Sequence, residues 1–163
     1  MCYFEVVSSK QCTYLDLDLK AEDCIELPIG LQSDRTNMAK QCLELLHWAY
    51  EVYLGIRLDM SHVTIGHGSG PDKISYHIMI YDGVHAWETG LSNSPPFSSG
   101  QKGFITLLKE EILRNPKRWN NLTYMDKQST LSSVIETNPN SKGNQPFRTL
   151  LSAKIGTNLF YKV

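Results

Sequence analysis

Two stretches of this chain share one design, and that design limits the fold more than any other feature. In Thr13-Tyr14-Leu15-Asp16-Leu17-Asp18-Leu19, the leucines 15, 17 and 19 fall on one face of an extended strand and Asp16 and Asp18 on the other. In Asp72-Lys73-Ile74-Ser75-Tyr76-His77-Ile78-Met79-Ile80, residues Ile74, Tyr76, Ile78 and Ile80 point one way and Ser75, His77 and Met79 the other. A strand that is apolar on one face only needs a second layer against that face. If the two strands are neighbours in one sheet, two carboxylates, a serine and a histidine converge on one surface, with a lysine just ahead. The opposite surface is then covered by helices.

The chain supplies such helices. Met38, Cys42, Leu45, Leu46, Ala49, Val52 and Tyr53 recur at helical spacing. Ser33 or Asp34 serves as N-cap and Gly55 as stop. A second helix is predicted over residues 102–114, with Phe104, Leu107, Leu108 and Ile112 apolar, and Asn115-Pro116 ends it. Further strands are predicted at residues 3–7, 62–66, 132–136, 147–151 and 159–163. Ser8-Ser9-Lys10 reads as the turn of a hairpin joining the first two strands. Residues 81–101, rich in Gly, Ser, Asn and Pro, read as a loop, and residues 117–130 give no clear pattern. This mixture predicts an α+β domain.

The length of 163 residues suits a single domain over residues 1–163. The formal net charge is -1, so no global field points to nucleic acid, although a local basic patch is compatible with it. Cys2, Cys12, Cys24 and Cys42 form no CxxC pair and no metal-ligand spacing. They fit a reducing compartment, cytoplasm or nucleus, better than a disulfide framework. No apolar run is long enough to span a bilayer. Glu5 and Lys10 interrupt any apolar core of a signal peptide.

Asp16 and Asp18, two apart on one strand face, can hold hard divalent cations through oxygen, although a lone pair so spaced is more often a solvated strand face. Ser75 and His77 can donate to phosphate oxygens. A nucleophilic Ser-His pair would need an orienting acid and an oxyanion hole besides. Arg148 and Lys154 share a face if the strand after the polar loop at 138–146 stays regular, which suits a polyphosphate. His47, His62, His67 and His85 form no ligand pattern. Trp48 reads as a packing residue, whereas Trp87 and Trp119 are open between packing and stacking on bases.

The order of these pieces carries more than any one of them. Leu15-Asp16-Leu17-Asp18, a helix, Asp72-Lys73-Ile74-Ser75-Tyr76-His77-Ile78-Met79-Ile80, then Phe147-Arg148-Thr149-Leu150-Leu151-Ser152-Ala153-Lys154-Ile155-Gly156 resembles the archaeo-eukaryotic primase superfamily. The nearest branch holds primase-polymerases, herpesvirus primases and primase-helicases of large DNA viruses, which implies a viral or mobile-element setting. The resemblance implies an RRM-like, mostly antiparallel sheet with helices on one side. It implies that Asp16 and Asp18 bind catalytic Mg²⁺ or Mn²⁺. It assigns Lys73, Ser75, His77, Arg148 and Lys154 to the triphosphate of an incoming NTP or dNTP. The activity implied is synthesis of short RNA or DNA primers on a single-stranded DNA template, alongside a helicase or other replication subunit.

Three departures accompany the resemblance. The family's third acidic residue has Glu136 as its candidate, in Ser133-Val134-Ile135-Glu136, with Asp126 a weaker one. The first motif lies near the start, where relatives carry another module. No zinc-knuckle cysteines follow the core. A fragment, a minimal form or a copy without activity all fit these departures. The alternatives are thus a nucleotide- or nucleic-acid-binding subunit without turnover and, more remotely, a metal-dependent phosphohydrolase or nuclease.

Overall fold

The computed structural model describes residues 4–7, 10–20, 32–68, 73–81, 87–88, 100–119, 131–136 and 145–148. Its centre is the strand β3 (Thr13–Lys20), which contains both aspartates. The strands β4 (Val63–His67), β5 (Lys73–Ile80) and β7 (Ile135–Glu136) join it in an antiparallel sheet of order β4-β5-β3-β7. β3 and β5 pair along their full length, from Thr13↔Ile80 to Lys20↔Lys73. Because side chains alternate with period two, this register places Leu15, Leu17 and Leu19 on the same face as Ile74, Tyr76, Ile78 and Ile80.

That face meets the helices. The helix α1 (Gln32–Ala49) buries Met38, Cys42, Leu45, Leu46 and Ala49, while Lys40 and Glu44 on its other side are exposed. The helix α2 (Gly100–Arg114) adds Phe104, Ile105, Leu108 and Ile112 to the same core. Leucines 15 and 17 are fully buried between sheet and helices. The buried hydroxyls of Thr13 and Tyr50 share a hydrogen bond that ties the start of β3 to the end of α1. The result is an α+β fold, as expected, and is compatible with an RRM-like arrangement.

The end of α1 follows from its sequence. The last turn widens to a π-helical one over Tyr50–Leu54 and stops at Gly55, whose φ of 68° is left-handed. The Gly55 amide donates to the Glu51 carbonyl and the Ile56 amide to that of Tyr50, closing the cap. A Cβ here would touch nothing within 4 Å, so glycine is needed for its torsion and not for space. After α2, Asn115 breaks the helix as expected, and the short α3 (Pro116–Trp119) packs Trp119 back into the core.

Several expectations are corrected. The strand β1 (Phe4–Val7) does not form a hairpin with its sequence neighbour. It pairs instead with β8 (Gln145–Arg148) in a separate two-stranded ladder. Ser8-Ser9-Lys10 lacks the Asn-Gly or Asp-Gly signature of a tight hairpin, so nothing local held the pairing. The predicted strand at residues 132–136 is mostly a helical turn, α4 (Leu131–Val134), followed by the two residues of β7. Leu131 and Val134, three apart, are both buried while Ser133 is exposed, which is helical and not alternating periodicity. The predicted loop at 81–101 contains a short strand, β6 (Trp87–Glu88), paired with β2 (Lys10–Gln11). The strand predicted at 159–163 lies outside the described residues. Among the described residues no helix is long and apolar enough to cross a membrane.

Two outcomes test this packing. Leu17→Ala should lower stability by about 2–5 kcal/mol through the cavity it leaves, whereas Val52→Ala, at an exposed position, should stay within about 0.5 kcal/mol; urea unfolding of both separates core from surface. Burial pushes the Cys42 thiol up from 9.0 to about 12, so its contribution to stability is complete below pH 9 and is lost as pH rises toward 12. Cys42 should therefore resist alkylation at pH 8.5 in the native protein and react once the chain is unfolded in urea, as peptide mapping by mass spectrometry would show.

Candidate functional site

The face of the sheet opposite the helices collects the residues that carry chemistry. On β3 it presents Tyr14, Asp16 and Asp18, and on β5 Lys73, Ser75, His77 and Met79. The register sets Asp16 directly opposite His77 and Asp18 directly opposite Ser75. On the other side of β3, Asp16 stands opposite Glu136 of β7. Asp16 is thus flanked across the sheet by an imidazole and a carboxylate.

The distances show how the charges are arranged. Nε2 of His77 lies 3.3 Å from Oδ1 of Asp16. That is near enough for attraction when the imidazole is protonated, yet Oδ1 of Asp16 is buried and accepts no hydrogen bond among the described residues. A buried carboxylate oxygen without a donor is costly to maintain. Asp18 is differently placed. Nζ of Lys73 reaches it diagonally across the two strands, 3.1 Å from Oδ1 and 3.3 Å from Oδ2. The side chains of this pair are about one-third exposed, 33% for Lys73 and 36% for Asp18, so the pair is modestly stabilising.

Glu136 depends on a contact that the sequence reading did not identify. A strand of two residues has little to hold it, and Lys109 of α2 donates from Nζ to the Ile135 carbonyl at 2.8 Å. This tether anchors β7 beside β3 and thereby positions Glu136. Tyr14 is a second omission: it is buried on the aspartate face opposite Met79 and walls one end of the site. The i, i+2 alternation through Asp16 and Asp18 already carried the signal for Tyr14. Lys109 had none, because its partner is a backbone carbonyl far away in sequence.

Ser75 and His77 are buried, at 1% and 5% exposure, so this part of the polar face is not the open, solvated surface of an exposed sheet. Arg148 stands opposite Phe4 in the β1–β8 ladder, which is distinct from the sheet carrying the aspartates. Lys154 and Asp126 lie outside the described residues. Trp119 is a packing residue: its indole donates to Oε1 of Glu111 at 3.1 Å, and the Arg118 guanidinium covers its ring at 4.3 Å. Glu111, buried within α2, also accepts from the Asn115 side chain at 2.7 Å and so braces the turn into α3.

The donor chemistry fits a hard divalent cation. Asp16 offers a buried oxygen that accepts no hydrogen bond among the described residues, and Asp18 a second carboxylate on the same face. Among the described residues no three His, Cys, Asp or Glu side chains group closely enough to hold a metal by themselves. Mg²⁺ does not require such a cage, since it commonly takes one or two carboxylates and completes its shell with water and substrate phosphates. No protein-family model matches the chain, and no curated protein matches its sequence.

Asp16 and Glu136 are like charges directly opposite on neighbouring strands, an arrangement that destabilises a sheet. In EDTA, Glu136→Gln should therefore raise stability by about 0.2–1 kcal/mol. With excess Mn²⁺, the wild-type chain should gain more in melting temperature than the variant does. A differential scanning series in EDTA and Mn²⁺ checks both signs, and a Mn²⁺ effect identical in the two chains would remove Glu136 from the site.

Proposed function

We propose that this chain is the core of a DNA-directed primase-polymerase, joining nucleotides on a single-stranded DNA template by metal-assisted nucleotidyl transfer. The observation that carries the reading is the register of β3 against β5 and β7. It gathers Asp16, Asp18 and Glu136 on one sheet face with Lys73, Ser75 and His77. Acidic oxygens for cations and cationic or hydroxyl donors for phosphate thus adjoin each other, the arrangement that transfer of a polyphosphate-bearing substrate requires.

In this reading the 3′-hydroxyl of the growing strand gives its proton to solvent, and its oxygen attacks the α-phosphorus of the incoming nucleotide as the bond to pyrophosphate breaks. Divalent cations, when bound, neutralise the triphosphate and favour the ionised attacking oxygen. Asp16 and Asp18 supply carboxylate oxygens to hold them, and Glu136 adds negative charge beside Asp16. Lys73 offers a mobile point charge to the phosphates, while Ser75 and His77 donate from a buried and fixed position. Arg148 and Lys154 belong to the triphosphate set through the family resemblance alone. No residue is needed as a strong general base, because positioning and charge stabilisation account for most of the acceleration.

A second reading is favoured by the burial of Ser75 and His77 and by the Lys73–Asp18 pair. Both leave phosphate donors engaged within the protein. In that reading the chain binds nucleotide or nucleic acid as a subunit of a replication assembly and turns nothing over. Primer synthesis on a single-stranded homopolymer with Mn²⁺ separates the two. Asp16→Asn should lower product by about 100-fold or more, the scale of losing one preorganised charge-stabilising group, with an unchanged circular dichroism spectrum. Full synthesis by Asp16→Asn would overturn the assignment of the site. Absence of product from both chains, with nucleotide still bound, would favour the binding subunit. Template binding should weaken steeply with salt, as cation contacts to phosphate require.

A further inference from the structure

The Lys73 ammonium has two claims on it. It lies across both oxygens of Asp18, at 3.1 and 3.3 Å. In the function proposed above, Asp18 holds a divalent cation and Lys73 meets the triphosphate. These two states exclude each other. An ammonium across both carboxylate oxygens occupies the positions a metal would take, and like charges at one carboxylate repel. A lysine committed to Asp18 is equally withheld from phosphate.

The local geometry identifies the part that can move. Lys73 is the first residue of β5, opposite Lys20, and reaches Asp18 on the diagonal. Its flexible four-carbon stem carries a charge that can be redirected without moving the backbone. The pair is about one-third exposed on each side, so its members are held weakly. Ser75, directly opposite Asp18, is buried at 1% exposure, as is its neighbour His77 at 5%. Among the described side chains of this face, Lys73 is therefore a cation that can be redirected, while Ser75 and His77 are fixed by packing.

We propose that Lys73 is an internal counter-ion that holds the acidic site closed and is exchanged on loading. When a triphosphate binds, Lys73 leaves Asp18 for the phosphates and Asp18 becomes available to the cation. When a cation binds first, it displaces Lys73 and makes it available to the nucleotide. The two ligands then assist each other by equal factors, because the coupling between two binding equilibria is reciprocal. Asp16 takes no part in the exchange: its Oδ1 is buried and faces His77 at 3.3 Å, not Lys73. This inference rests on the metal-and-nucleotide reading of the site and specifies how that site is regulated.

Each ligand can be tested without the other, which avoids chelation of cation by nucleotide in solution. Free Mn²⁺ binding, read by electron paramagnetic resonance, should tighten in Lys73→Met by about 5-fold or more, the lower end of typical coupling between sites. The gain should vanish in Lys73→Met/Asp18→Asn. In EDTA, a fluorescent non-hydrolysable nucleoside triphosphate should bind Asp18→Asn more tightly than wild type by a similar factor. Lys73→Met should bind it more weakly. A double-mutant cycle over the four chains isolates the coupling between the two residues. Methionine keeps the apolar stem of Lys73, and matched melting curves report that each variant is folded.

If Lys73 were only a structural brace, Lys73→Met would bind Mn²⁺ no more tightly and would melt earlier, and the exchange would be refuted. Mn²⁺ binding that depends on Asp16 but is indifferent to Lys73 would refute the exchange and leave the metal site standing. Mn²⁺ binding indifferent to Asp16 in both wild type and Lys73→Met would overturn the exchange together with the metal reading.

Discussion

The pairing of β3 with β5 is the contact on which the rest of this molecule depends. Eight residues of each strand run antiparallel in unbroken register, Thr13↔Ile80 through Lys20↔Lys73. A shift of one residue would turn Leu15, Leu17 and Leu19 outward and drive Asp16 and Asp18 into the core. Burying those carboxylates among Leu45, Leu46, Phe104 and Leu108 would cost far more than the sheet could recover. The hydrophobic requirement on one face therefore fixes the register, and the register aligns the charged face. The polar side chains of the candidate site are thus positioned by packing on the opposite side of the sheet.

The polar face accepts several unfavourable features together. Asp16 has a buried oxygen that accepts no hydrogen bond among the described residues, and it stands opposite Glu136. A strand of two residues beside it is held by a lysine donating from a neighbouring helix. Features that destabilise a fold locally, yet are braced from elsewhere, are expected where function opposes stability. Leu17, by contrast, follows every rule of a central strand.

Much of the site was legible in the sequence because its signals are local. Alternation through Leu15-Asp16-Leu17-Asp18 and through Ile74-Ser75-Tyr76-His77-Ile78 assigns each side chain to a face without knowledge of any partner. The spacing of Met38, Cys42, Leu45, Leu46 and Ala49 defines a helix, and Gly55 ends it where left-handed backbone is needed. Glu136 could be named as an acidic candidate only through the family resemblance. The partner of β1, the helical turn at Leu131–Val134, the tether from Lys109 and the brace at Glu111 were not legible. Each depends on a contact between residues whose local pattern says nothing of the other, or on a short segment whose periodicity is ambiguous.

The sequence by itself determined which residues are strand and helix over the long elements, and which side of each strand is apolar. Those properties follow from periodicities of two and 3.6 residues and from the torsions of single residues. Tertiary structure alone decided that β3 lies between β5 and β7, that Asp16 therefore meets His77 and Glu136, and that Ser75 and His77 are buried. It also decided that Lys73 closes on Asp18. The physical reason is that strand order and burial are set by the joint packing of distant segments around one core, whereas alternation is written into each segment alone.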